Sequence, residues 1–125
     1  MTTIDPHQPK SVLTLDVQTG PQATIVRVTG SAGMREAEHM RSVLEELNAS
    51  CPAIIVLDLS RMDFICSMGL GAIIQGHLRS RHHSGQIRLV NPQPAVRELL
   101  ETTRLTKLFP VFASVEEAVG SPTSA

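Results

Sequence analysis

The residue types able to do chemistry gather in one stretch, Asp58-Leu59-Ser60-Arg61-Met62-Asp63-Phe64-Ile65-Cys66-Ser67-Met68-Gly69-Leu70-Gly71. Asp58 and Asp63 raise the chemistry of paired carboxylates, but acid/base work needs a cleft and a displaced pKa. Nothing in the flanking residues supplies either, and Asp58 is expected to serve nearby loop N–H groups. Cys66 precedes an expected helix start, where a thiol can become reactive. It has no base close in sequence and reads as a small hydrophobe. Ser67 is the more informative residue. A helix start offers unpaired N–H groups and a partial positive charge, so a phosphate of about −1.5 to −2 charges on Ser67 would lie where the field favours it. The competing reading makes Ser67 a helix N-cap and nothing more.

Other constellations carry less. Gly69-Leu70-Gly71 lacks the lysine and the length of a phosphate-binding loop. His77, His82 and His83 fall late in the expected helix with Arg79 and Arg81, where cations complement the negative helix end. Adjacent histidines point different ways, so no metal site is expected there. Cys51, ahead of Pro52, is taken as structural.

The elements that must position Ser67 follow from periodicity. Val12 to Val17 and Ile25 to Val28 read as two strands of a hairpin, broken at Gly20-Pro21 and closed by Gly30. Ala37, Met40, Val43, Leu44 and Leu47 recur at helical spacing between Met34 and Asn48, with charges on the other side. Ala53 to Leu57 is a continuous apolar run, suited to a strand buried on both faces. A loop is expected over Arg61 to Cys66, then a helix over Ser67 to Ser84 with Gly85 as its stop. Ile87 to Val90 reads as a short buried strand. Asn91-Pro92 opens a third helix with Asn91 as its cap, Leu108 to Phe112 holds a last strand, and Ser114 to Val119 a last helical turn. This alternation predicts an α/β fold: a mixed four- to five-stranded sheet with about four helices. One domain spans 12–119, with loose ends at 1–11 and 120–125.

The whole composition narrows the function classes. The 125 residues carry a net charge of −1 and only 2% aromatics, which supplies neither the basic field nor the stacking platform of a nucleic-acid binder. No apolar run approaches the ~20 residues of a membrane span, and the first residues do not read as a signal peptide. With two cysteines, the expectation is a reduced, cytoplasmic domain without cofactor or metal.

Taken together, these residues resemble the signature of the anti-sigma factor antagonist family, the small STAS domains. Ile55-Val56-Leu57-Asp58-Leu59-Ser60 is similar to the family's apolar strand with Asp-x-Ser, Phe64-Ile65 to its apolar pair, and Ser67-Met68-Gly69-Leu70-Gly71-Ala72 to its helix start. Asn91 to Leu100 resembles its third helix, and Leu105 to Phe112 its closing segment. The resemblance implies a non-enzymatic switch that captures an anti-sigma factor with serine kinase activity. Phosphorylation of Ser67 would break the capture and a serine phosphatase would restore it. Arg61, Asp63, Cys66, Met68, Gly69, Leu70 and Ala72 would form the docking surface, with no small-molecule substrate. The chain departs from the family pattern at Cys66, where an aspartate is usual, and at Gly30-Ser31-Ala32-Gly33, where acidic residues are usual. Those departures leave a second class open: a non-switching accessory subunit, as on the ATPase of a lipid-transport ABC system.

Overall fold

Ile54-Ile55-Val56-Leu57, with no polar residue to turn toward water, runs through the middle of the sheet, and the other elements are arranged around it. A computed structural model describes residues 13–120; the expectations for the two chain ends lie outside them, apart from Gly120, which closes the last helix. In chain order the elements are β1 (Leu13–Thr19), β2 (Thr24–Ala32), α1 (Met34–Ala49), β3 (Ile54–Ile65), α2 (Ser67–His82), β4 (Gln86–Val90), α3 (Pro94–Thr102), a 3-10 turn (Leu105–Lys107), β5 (Val111–Phe112) and α4 (Val115–Gly120).

The five strands lie in the order β1-β2-β3-β4-β5, with β1 antiparallel to β2 and every other pair parallel. Each parallel step moves one strand in the same direction, and crossovers of one hand then bring α1, α2 and α3 to the same face. Their residues Met40, Leu44, Leu70, Ile73, Val96 and Leu100 share one core with Ile55, Leu57, Ile87 and Leu89. The opposite face is covered by α4, whose Ala118 packs with Val56 and Val90. The expected α/β architecture is thus observed, with five strands and four helices.

Four boundaries differ from the sequence reading. β2 continues past Gly30, which takes a φ of 108°, to Ala32. β3 continues through the expected loop to Ile65, because two bulges break the alternation by which a strand is recognised. α3 is not capped by Asn91. Asn91 takes a left-handed φ of 45° and donates its N–H to Phe112 O, extending the β4–β5 ladder, so the N-cap falls to Gln93. The last strand shrinks to Val111–Phe112, since Phe109 turns into the core above the 3-10 turn.

His77 is not one of the cations of the helix end. It is buried, its Nδ1 accepts the Ile87 N–H at 3.2 Å, and its ring meets Phe109 edge-on. Burial, reinforced by Arg81, holds it below its ordinary pKa of 6.5. Below that pH the unfolded chain takes up a proton that the folded chain resists. The His77 contribution is therefore complete above pH 6.5 and is lost as the pH falls from there toward the lowered value, at most about 1.4 kcal/mol per pH unit. Urea midpoints measured across this range in the native chain and in His77→Gln check the expectation: the drop on the acid side is reduced in the variant.

Candidate functional site

The site is the edge where β2 and β3 end and α1 and α2 begin. Two backbone links fix it: the Cys66 N–H donates to Ala32 O at 2.9 Å, and the Leu70 N–H to Cys66 O at 3.0 Å. Cys66, in extended conformation, is the N-cap of α2, so Ser67 is its first helical residue and not its cap. The Cys66 side chain makes no capping hydrogen bond, and the first turn of α2 holds no acidic residue. The positive end of this 16-residue helix is accordingly uncompensated by its own side chains, whereas Arg79, Arg81 and His82 complement the other end. Ser67 is exposed, and its hydroxyl has no hydrogen-bond partner among the described residues.

The expected docking residues divide by side-chain direction. Arg61, Asp63 and Met68 are exposed and Cys66 is half-buried. Gly69, Leu70 and Ala72 are buried, on the side of α2 that faces the rest of the chain. Leu70 and Ala72 lie on the stripe that seals α2 to the sheet. Gly69 is there for space, since a Cβ would stand 2.7 Å from Ile65 Cγ1 and 3.6 Å from Ala32 Cβ. Gly71, one residue on, would meet nothing within 4 Å. These neighbours make a matched pair. Gly71→Ala is expected to stabilise the chain by up to about 1 kcal/mol through helix propensity. Gly69→Ala is expected to cost about 1–2 kcal/mol net, because overpacking exceeds the propensity gain. Thermal denaturation of both variants reads the opposite signs.

The structure adds two residues to the exposed set. Met34, Phe64 and Met68 are 69%, 52% and 50% exposed; Met34 begins α1, Phe64 is next to last in β3 and Met68 is second in α2. Of the apolar pair Phe64-Ile65, only Ile65 is buried. Met34 was missed; its one sequence signal is a large apolar residue directly after Gly33, off the helix's apolar stripe. Asp63 is steadied by Ser31, whose Oγ donates to its Oδ1 at 2.6 Å.

Both carboxylates have partners within the chain. Asp58 Oδ1 accepts from the Ser60 N–H at 3.1 Å and from Ser60 Oγ at 2.8 Å, while its Oδ2 faces Arg27 Nε at 3.7 Å. Asp63 is taken by Ser31. Among the described residues no cluster of three His, Cys, Asp or Glu could hold a metal ion, and no helix is long and apolar enough to cross a membrane.

A family model for the STAS domain matches residues 14–118. The chain belongs to the STAS domain family. Among its relatives is a provisionally named anti-anti-sigma factor of Mycobacterium tuberculosis, 25% identical over 122 residues, spanning 96% of this chain and 80% of that one. The crystal structure of an anti-sigma factor antagonist from Mycobacterium paratuberculosis superposes with a TM-score of 0.78 at 26% identity, covering 86% of this chain and 91% of that one. The anti-sigma factor antagonist SpoIIAA in its unphosphorylated form shares the STAS fold, with a TM-score of 0.75 at 21% identity over 86% of this chain and 93% of that one. In this STAS domain, then, Ser67 stands exposed at the first position of α2, at the edge where β3 ends.

Proposed function

We propose that this STAS domain is an anti-sigma factor antagonist that works by regulated contact and not by turnover. In its unmodified form it captures an anti-sigma factor with serine kinase activity through Met34, Phe64 and Met68, flanked by Arg61, Asp63 and Cys66. Phosphorylation of Ser67 breaks the capture and a serine phosphatase restores it. One observation carries the reading: the Ser67 hydroxyl is exposed and unpartnered among the described residues at the first position of α2, and Met34, Phe64 and Met68, near the ends of the elements that meet at this edge, are also exposed. A double negative charge entering such a contact is costly once the contact excludes water. SpoIIAA, whose fold this chain shares, has been solved both unphosphorylated and phosphorylated.

The test is incubation of the purified chain with the serine kinase encoded nearest to it, with ATP. The expected result is a mass gain of one phosphate, absent in Ser67→Ala. No gain would remove the phosphorylation switch. A second reading, a non-switching accessory subunit of an ABC-type lipid transport system, draws on one feature: α2 has Cys66 at its cap and no acidic residue in its first turn. Co-purification with a transporter ATPase and with no kinase-like partner would decide for it.

A further inference from the structure

We propose that Asp58 is a positioning residue for the Ser67 edge, acting through a β-bulge and touching neither Ser67 nor the exposed apolar side chains; this rests on the docking reading above. Along β3 the pairing with β2 runs Arg27 to Asp58, then Thr29 to Arg61, so Leu59 and Ser60 together oppose Val28. That extra residue sets which side chains of the last third of β3 face water. Ile55, Leu57 and Leu59 point to the helix-side core with period two, and the next core residue is Met62, not Arg61. Uninterrupted alternation would send Arg61 and Asp63 inward and Met62 outward, since a slip of one residue reverses every side chain beyond it. A second irregularity, between Gly30 paired with Met62 and Ser31 paired with Phe64, leaves Asp63 as the extra residue and returns Ile65 to the core.

The first bulge is held at every polar group of Ser60. Asp58 Oδ1 accepts both its N–H and its hydroxyl, and Gln93 Nε2 at the cap of α3 donates to its carbonyl at 2.9 Å. Asp58 therefore fixes the phase of β3 from the opposite side of the bulge, and Phe64, Cys66 and Ser67 inherit their placement. In the sequence this is the Asp-x-Ser pair, whose spacing is what lets one carboxylate oxygen reach both donors of the second residue.

Amide hydrogen exchange by NMR on the full chain, with no partner present, tests this in the native protein, Asp58→Ala and Asp58→Asn. Asp58→Ala is expected to speed exchange at residues 60–67 tenfold or more beyond any change across Gln86–Val90. Asp58→Asn keeps the acceptor oxygen and is expected to stay within about threefold of the native chain. Equal acceleration in both segments would overturn the proposal by reducing Asp58 to general stability, and an Asn variant as damaged as the Ala variant would overturn it by assigning the effect to the Arg27 charge. Should Asp58→Ala fail to fold, Gln93→Ala frees the same bulge from its other side and is expected to speed the same amides; unchanged exchange there would count against the clamp. Ser67 phosphorylation rates in the same variants separate the two readings. Localised exchange changes with no phosphorylation in any form uphold the positioning role and sink the switch.

Discussion

Ser67→Glu is expected to weaken capture of the anti-sigma partner by about a hundredfold or more while making the isolated chain more stable. The two effects have opposite signs because they come from two different surroundings of the same side chain. Within the free protein, residue 67 is the first residue of a helix that has no side-chain cap and no acid in its first turn. A carboxylate there meets unpaired N–H groups and the positive end of the helix, worth about 0.3–1 kcal/mol. In the complex the same carboxylate lies among Met34, Phe64 and Met68 and loses its water; truncated or unpaired charges at such buried contacts cost about 2–5 kcal/mol. A general folding defect would lower both quantities together. Calorimetric titration against the serine kinase partner, paired with thermal denaturation of the free variant, reads the two signs separately.

Arg88→Ala is expected to cost about 3 kcal/mol or more, the largest stability loss of any substitution outside the site. Arg88 is 1% exposed, at the centre of β4 between Ile87 and Leu89 but facing the other way. Its Nε donates to Gln86 Oε1 at 2.6 Å, one Nη donates to Ala118 O at 2.5 Å, and its guanidinium lies 5.5 Å from the centre of the Phe112 ring. This one side chain joins β4, β5 and α4. Truncation opens a cavity and leaves the Gln86 and Ala118 oxygens without that donor, at about 1–3 kcal/mol for each group stranded in the interior. Denaturant titration with circular dichroism measures the loss, and limited proteolysis near Val115–Gly120 is expected to show α4 released first. An Arg88→Ala midpoint equal to that of the native chain would mean α4 is held by its apolar residues alone.

The elements that read clearly in the sequence are those with one uninterrupted period. The stripe of Ala37, Met40 and Leu44 gave α1 to within a residue or so, and Ile54 to Leu57 had no alternative to a central strand. The helix α2 was legible from the helical spacing of Leu70, Ile73, Ile74 and His77 and from Gly85 as its stop. Where periodicity is broken, sequence reading fails for a definite reason. Leu59, Met62 and Ile65 are core residues spaced by three along a strand, a spacing that imitates a loop or a helix until the two bulges are known. Leu70 shares the apolar stripe with Ile73, as its spacing predicts, and Ala72 joins the same core. Arg88 was counted within an apolar strand, and only α4 folding back on that face shows what buries it. Met34 is exposed because α1 turns its stripe elsewhere, and the start of α1 comes to the Ser67 edge through the parallel pairing of β2 and β3, which no local window contains.

The account rests on Ser67 lying within the contact made by the partner, and titrating one kinase-type anti-sigma factor with the chain before and after phosphorylation of that single residue tests it most directly. Tight binding of the unmodified chain, weakened by about a hundredfold or more in the phosphorylated one, is the predicted result. Equal affinity of the two forms would contradict the account, because a doubly charged group cannot sit inside a dehydrated apolar contact without cost.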